Sequence, residues 1–215
     1  MRDVYHDELD DIGKRVIEMT NLVAIAIERA TRALLDANLT QADLVIADDR
    51  RVDALREELE DRCFQLIAQQ QPVATDLRVL ISTIHLAADI ERMGDLAHHV
   101  AKIARLRYPD SAVPPEARDV ISQMGEVARS LVTKVADVVD GRDIALAKAI
   151  EAEDDSMDAL RRKLFTVVLS PNWTRGSAAA IDMTLLGRYY ERYADHAVAV
   201  ARRTIFIVTG HRPEH

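Results

Sequence analysis

Four pairs of acidic residues, the members of each pair four positions apart, are the feature of this sequence best suited to chemistry. They lie at similar places in the two halves of the chain: Asp49 with Asp53, Glu91 with Asp95, Asp154 with Asp158, and Glu191 with Asp195. Residues four apart share one face of a helix, where two like charges repel each other. Each pair therefore needs a positive group beside it, unless both carboxylates are fully hydrated.

Glu91 and Asp95 are expected to face neighbouring helices rather than open water. They follow Ile84 and Ala88 by seven residues each, so they continue the apolar stripe predicted for their helix. Carboxylates partly removed from water must be protonated, pair with arginine or bind a cation. Ligands that are all oxygen suit hard ions such as magnesium, manganese, calcium or oxidised iron better than copper or structural zinc. We therefore interpret the eight carboxylates of the four pairs as candidate metal ligands.

Two metal-free interpretations of the pairs stay open. In a purely structural helical scaffold the carboxylates would be neutralised by nearby arginines, the candidates being Arg78, Arg92, Arg188 and Arg192. The pairs could also be solvated acidic faces, because other acidic pairs in the chain have the same spacing, among them Asp7 with Asp11, Glu57 with Asp61, and Glu151 with Asp155.

A metal-dependent enzyme is the alternative from another class of protein. Di-iron carboxylate enzymes place Glu-x-x-His on two helices of a bundle. Here the residue three after Glu91 is Gly94, and the residue three after Glu191 is Ala194. Asp95 does have His98 three residues later, but the histidine has no counterpart in the second half. The sequence therefore favours a protein that is not an enzyme.

The elements that must position these carboxylates are six predicted helices. Seven glycines and six prolines in 215 residues are too few for a loop-rich β protein. Apolar periodicity and helix-breaking residues place the helices at about 7–37, 40–69, 72–106, 116–139, 143–169 and 173–208. Thr40 is the predicted N-cap of the second helix, and Pro72 and Trp173 lie in the predicted first turns of the third and sixth helices.

The chain reads as a duplicated three-helix unit. Residues 52–55 are echoed by 157–160, and Glu91-Arg92-Met93-Gly94-Asp95 is echoed by Glu191-Arg192-Tyr193-Ala194-Asp195. Both echoes fall on equivalent predicted helices. Three of the six prolines lie between the halves, so we predict one bundle at 1–108, a linker at 109–115 and a second bundle at 116–215.

Composition and charge exclude several classes of function. With 28 basic against 36 acidic residues, the formal net charge of −8 has the wrong sign for direct binding to nucleic acid. The single cysteine, Cys63, cannot form an intrachain disulfide and has the apolar neighbours of a core thiol. The longest apolar stretch is far too short to insert in a membrane, and the N-terminus lacks an apolar signal core. These features predict a cytoplasmic protein.

With the duplicated plan and its motifs in view, the chain resembles the PhoU family of regulators of the phosphate-specific transport system. The resemblance covers essentially the whole chain, and three segments carry it: residues 70–78, between the second and third helices; Asp89-Ile90-Glu91-Arg92-Met93-Gly94-Asp95; and Glu191-Arg192-Tyr193-Ala194-Asp195-His196. The family pattern of an acidic residue, three residues and an aspartate falls on the four pairs. The second half departs from the pattern, since it lacks the Gln-Gln-Pro turn and has Tyr189 where the first half has Asp89.

The resemblance implies an all-α fold of two pseudosymmetric antiparallel three-helix bundles, with a multinuclear metal cluster on the surface of each. Members differ in whether and which metal is seen, so iron, manganese, magnesium and zinc all stay candidates. It also implies a cytoplasmic negative regulator of phosphate signalling and uptake that is not an enzyme. The implied partners are the ATPase subunit of the phosphate transporter, a sensor histidine kinase and a second copy of the chain in a homodimer.

Overall fold

Six long helices and no strand make up residues 2–211, the part of the chain that the computed structural model describes. The helices are α1 (Arg2–Asp36), α2 (Leu39–Gln70), α3 (Ala74–Arg107), α4 (Pro115–Gly141), α5 (Ile144–Val168) and α6 (Gly176–Thr209). The short turns between successive helices make neighbours antiparallel. The predicted all-α class, with two three-helix bundles, is confirmed.

The two bundles join through a ring of four helices. Within the bundles, α2 packs against α1 and α3, and α5 packs against α4 and α6. Between the bundles, α1 packs against α4, and α3 packs against α6. As α1 also packs on α3, and α4 on α6, these four helices surround a shared core. Helices α2 and α5 lie outside the ring, each in the groove between two of its members.

Helix α2 begins at Leu39, before the N-cap that the sequence predicted at Thr40. The Asn38 side chain accepts a hydrogen bond from the Gln41 amide at 3.1 Å, so Asn38 and not Thr40 is the N-cap. Asparagine caps a helix at least as well as threonine. Only Ala37 and Asn38 lie between α1 and α2, so α2 begins at Leu39. Asp143 caps α5 in the same way, accepting from the amides of Ala145 and Leu146.

Pro72 and Trp173 were also predicted wrongly, because both lie in turns before their helices. Gln71 has the left-handed backbone conformation that ends α2, with its amide bound to the Ile67 carbonyl. The chain then runs extended through Val73 before α3 begins. Trp173 packs on the core from its turn, and its Nε1 donates to the Gly176 carbonyl at 3.1 Å.

The apolar stripe of α3 is wider than its predicted form. Helical spacing places Leu77, Leu80, Ile81, Ile84 and Ala88 on the predicted stripe. Of these, Leu77 and Ile81 are substantially exposed, whereas Leu86 and Ile90, which lie outside the stripe, are buried. The reason is that α3 contacts three helices, α1, α2 and α6, so the buried surface covers most of its circumference. Glu91 therefore stands at the border of this surface, beside buried Ile90.

Two tyrosines of α6 cross the shared core to α1. Tyr190 and Tyr193 are fully buried. The Tyr190 hydroxyl lies 2.7 Å from Thr31 Oγ1, and the Tyr193 hydroxyl donates to the Val23 carbonyl at 3.1 Å. Because α1 and α6 stand diagonally across the ring, these side chains tie the two bundles together through its centre.

The structure also bears on the expectations for the cysteine and for membrane insertion. Cys63 is buried, as expected of a core thiol, and burial raises its pKa to about 12. Among the helices of residues 2–211, no stretch is both long enough and apolar enough to cross a membrane.

The contact between α1 and α4 predicts a selective effect of adding one methyl group. A Cβ on Gly125 would lie 2.9 Å from Thr31 Oγ1 and closer still to its Cγ2, and Thr31 is held by Tyr190. Gly125→Ala should lower the free energy of unfolding by about 1–2 kcal/mol, since overpacking outweighs the gain in helix propensity. Urea unfolding followed by circular dichroism measures this change.

Gly13→Ala is the matched control within α1, because a Cβ there meets nothing within 4 Å. We expect it to raise the free energy of unfolding by up to about 1 kcal/mol. Equal effects of the two substitutions would contradict the packing described between α1 and α4.

Candidate metal centres

The eight predicted carboxylates gather into two clusters, one on each bundle. The first carboxylate cluster comprises Asp49 and Asp53 of α2 with Glu91 and Asp95 of α3. The second comprises Asp154 and Asp158 of α5 with Glu191 and Asp195 of α6. In each cluster the charges of both helices act on one another. Each cluster thus lies where an outer helix, α2 or α5, meets the ring.

The members of the two clusters differ in exposure. Asp49, Glu91 and Glu191 keep only 14, 19 and 13 % of their side-chain surface exposed. Asp158 and Asp195 are exposed. Glu91 and Asp95 therefore face neighbouring helices in part, as the sequence predicted, while the second cluster opens more widely to solvent on its aspartate side.

Crowding disfavours full ionisation in both clusters. Burial, followed by the charges of Asp195 and Asp158, raises the pKa of Asp154 to about 6. In the first cluster, burial and the neighbouring carboxylates raise the pKa values of Asp53 and Glu91. A bound cation would remove this repulsion, because it favours the ionised carboxylates.

Arginines neutralise only part of this charge. In the first cluster Arg92 binds Asp95 at 2.7 Å and approaches Glu91 at 3.7 Å. In the second cluster, Glu191 forms ion pairs with Arg188 and with Arg161, the latter at 3.5 Å.

Four aspartates of the clusters have no ion pair among the described residues: Asp53, Asp154, Asp158 and Asp195. Of the other arginines considered, Arg78 donates to the Ile207 carbonyl at the end of α6, and Arg192 forms no ion pair within residues 2–211. Neutralisation by arginine is therefore incomplete in both bundles.

His98 adds a nitrogen to the first cluster that spacing alone did not assign. Its Nδ1 hydrogen-bonds to the Asp49 carboxylate, which lies on the neighbouring helix α2. Its Nε2 is buried and has no partner among the described residues. A buried nitrogen without a partner, beside crowded carboxylates, fits a site that takes a cation. The second half has Val198 at the corresponding position, so the two clusters differ here.

The donor chemistry thus suits a hard cation, but the side chains do not enclose one as they stand. Within residues 2–211, no three side chains of His, Cys, Asp or Glu converge like the ligands of one ion. Binding would require the carboxylates to turn toward each other and Arg92 to release Asp95. The assignment of the eight residues as metal ligands stays a prediction.

Asp89 contacts the opposite bundle. His196 Nδ1 lies 3.2 Å from its Oδ1, and an Arg203 nitrogen lies 3.6 Å from its Oδ2. Both partners belong to α6, so these contacts join α3 to α6. Sequence spacing cannot find such contacts, because they depend on the register between two helices of different bundles.

The fold and these sites define a duplicated helical bundle with paired acidic motifs. The sequence profile of the PhoU domain matches residues 16–104 and 121–204. The chain therefore belongs to the PhoU family.

Individual relatives match over nearly their full length. The phosphate-specific transport system accessory protein PhoU homolog 2 of Mycobacterium tuberculosis is 50 % identical, over 99 % of this chain and 100 % of the relative. PhoU homolog 1 of Mycobacterium leprae is 48 % identical, over 100 % of this chain and 96 % of the relative. The crystal structure of PhoU from Pseudomonas aeruginosa superposes with a TM-score of 0.89 at 26 % identity, covering 96 % of this chain and 100 % of that one.

The raised pKa of Asp154 predicts how stability depends on pH in the presence of a chelator. The folded chain keeps this proton up to about pH 6, whereas the ordinary pKa of aspartate is 3.8. The unfolded chain binds fewer protons across this window, so the free energy of unfolding falls as pH rises through it. Asp154→Asn should therefore be more stable than the wild type above pH 6 and nearly equal to it near pH 4. Urea unfolding at both pH values measures the difference.

Asp119→Asn provides the control, because Asp119 is exposed on α4 and has no ion pair among the described residues. We expect it to have little effect at either pH. An Asp154→Asn variant that is less stable than the wild type above pH 6 would contradict the crowding of carboxylates around Asp154.

Proposed function

We propose that this chain is a cytoplasmic negative regulator of phosphate uptake and of the phosphate-starvation response. The observation that carries the proposal is membership of the PhoU family over almost the entire chain. It is supported by relatives named as accessory proteins of the phosphate-specific transport system. In this role the chain acts by binding other proteins, and it catalyses no reaction.

The proposed partners are the ATPase subunit of the phosphate transporter and a sensor histidine kinase. The chain acts as an adaptor that holds the kinase in its inactive state while phosphate is plentiful. A homodimer is proposed as the working form. A rigid helical frame suits this task, since the buried tyrosine contacts between the bundles fix the relative positions of their outer faces.

We further propose that the two carboxylate clusters hold metal ions, with iron, manganese, magnesium and zinc as candidates. The cations would supply positive charge that fixes α2 against α3 and α5 against α6, a structural or sensory role. The incomplete neutralisation of Asp53, Asp154, Asp158 and Asp195 supports this assignment. The carboxylates of both helices in each cluster would be the ligands, together with His98 in the first.

Removing one aspartate from each cluster should reduce metal content without unfolding the protein. We expect the Asp95→Asn, Asp195→Asn double variant, purified without a His tag, to lose most of its bound metal by elemental analysis. Its helix content by circular dichroism should stay close to that of the wild type, because both side chains lie at the solvent border.

The matched control is Asp119→Asn with Asp137→Asn, which makes the same charge change at two exposed positions of α4. It should retain the metal content of the wild type. If the Asp95, Asp195 variant keeps all of its metal, the assignment of the clusters is wrong.

Deleting the gene should raise phosphate-responsive transcription in cells grown with abundant phosphate. The reason is that the kinase would no longer be held inactive through the transporter. Transcript levels of phosphate-starvation genes measure the effect, and a plasmid copy of the gene should restore repression. Unchanged transcription in a strain that has no second copy of the gene would rule out the regulatory role.

Cross-linking in cells tests the partners separately. The adaptor role predicts cross-links to both the transporter ATPase subunit and the kinase, and light scattering of the purified chain tests the homodimer. Cross-links to the ATPase subunit alone would leave a role in transport and eliminate the link to the kinase.

A further inference from the structure

A cavity of about 410 Å³ lies where α3 of the first bundle meets α6 of the second. We call it the seam cavity. Its lining is mainly basic and polar, with Arg92, Asp95 and His99 on α3 and Tyr189, Arg192 and His196 on α6. Apart from Asp95, which also belongs to the first carboxylate cluster, the polar groups of this lining carry hydrogen-bond donors.

The internal repeat brings two equivalent arginines to this cavity. Arg92 and Arg192 occupy the same position of the repeated motif. Helices α3 and α6 run antiparallel, because His99 packs edge-on against Tyr189 while Asp89 binds His196. The point where the helices cross therefore lies close to the repeated motif on both of them, and Arg92 and Arg192 both line the cavity, one from each helix.

Not all of the hydrogen-bond donors at the seam cavity are engaged. Arg92 binds Asp95, and His196 uses Nδ1 to bind Asp89. Arg192 is exposed and forms no ion pair within residues 2–211. His99 makes ring contacts with His98 and Tyr189 and no hydrogen bond among the described residues. These unused donors contrast with the formal net charge of −8, which repels anions from most of the surface.

We propose that the seam cavity binds a small phosphate-bearing anion, either orthophosphate or a short polyphosphate chain, with Arg192 as its principal ligand. A guanidinium group donates two parallel hydrogen bonds to phosphate oxygens, and the His99 ring and the Tyr189 hydroxyl add single donors. Two arginines facing one cavity suit an anion with more than one phosphoryl group.

This site goes beyond the proposed adaptor role. Only the choice of phosphate among the oxyanions rests on that role, and the binding itself rests on the unpaired donors. Asp95 connects the seam cavity to the first carboxylate cluster, so an anion there would lie beside that cluster.

Isothermal titration calorimetry of the full chain tests the site, with orthophosphate, tripolyphosphate and sulfate as separate titrants. Each titration is made once with a chelator present and once with added magnesium. The wild type should bind tripolyphosphate more tightly than orthophosphate, because two arginines line the cavity. It should bind sulfate more weakly than either, because sulfate has no proton to donate to the Asp95 carboxylate, whereas hydrogen phosphate has one. Arg192→Ala should weaken tripolyphosphate binding by about tenfold or more, and Arg192→Lys should fall between it and the wild type, because lysine retains the charge without the two parallel donors.

Arg162→Ala is the matched control, because Arg162 is an exposed arginine on α5, outside the cavity, that forms no ion pair among the described residues. It should change the affinity by less than about twofold. Arg192 is exposed, so both variants should fold like the wild type, which circular dichroism checks.

Four results would overturn the proposal: no binding by the wild type, equal weakening in Arg162→Ala, sulfate bound as tightly as phosphate, or binding that requires magnesium and is insensitive to Arg192. In the last case the anion would be held by a bound ion. None of these results bears on the transcriptional effect of deleting the gene, so failure of the site is distinguishable from failure of the regulatory role.

Discussion

The arrangement of the two bundles depends on satisfying two tyrosine hydroxyls that are buried in the shared core. A buried hydroxyl without a partner costs about 1–3 kcal/mol. Tyr190 and Tyr193 of α6 avoid this cost only by reaching Thr31 and the Val23 carbonyl on α1, diagonally across the ring of helices. Both partners lie in the other bundle, so the hydroxyls constrain distance and rotation between the bundles at once. Gly125 of α4 packs directly against Thr31, and any larger residue at this position would clash with the Thr31 side chain.

Because the buried tyrosines fix the rotation of α6 about its axis, they also determine which of its side chains face solvent. With Tyr190, Tyr193 and Ala194 buried, Glu191, Arg192 and Asp195 must lie at the border with solvent. Helix α3 has the same phase, because Ile90, Met93 and Gly94 are buried at the equivalent positions. The charged residues of the repeated motif therefore lie at the surface of both helices, and its acidic residues lie next to the outer helices α2 and α5. The same phase brings the two equivalent arginines together at the seam between α3 and α6.

The features that could be predicted from the sequence are those that depend on the spacing of residues along a single helix. The six helices, the repeat and the sharing of a face by each acidic pair follow from periodicity and offset alone. The N-cap at Asn38 and the turn positions of Pro72 and Trp173 were missed, because sequence signals place helix ends only approximately. The buried face of α3 was predicted too narrow, as the number of helices around it is a tertiary property. Contacts between helices, such as His98 with Asp49 or Arg161 with Glu191, depend on register and could not be predicted from spacing.

Anomalous diffraction from manganese-soaked crystals would show whether the crowded carboxylates of each bundle form the cation site that we propose. We expect one anomalous site or group of sites in each bundle, the first between α2 and α3 near Asp53 and Asp95, the second between α5 and α6 near Asp154 and Asp195. The repeat requires the two to be related by the same pseudosymmetry as the bundles. Anomalous density that is absent from both clusters, or present only at unrelated surface positions, would show that the carboxylates are not a cation site.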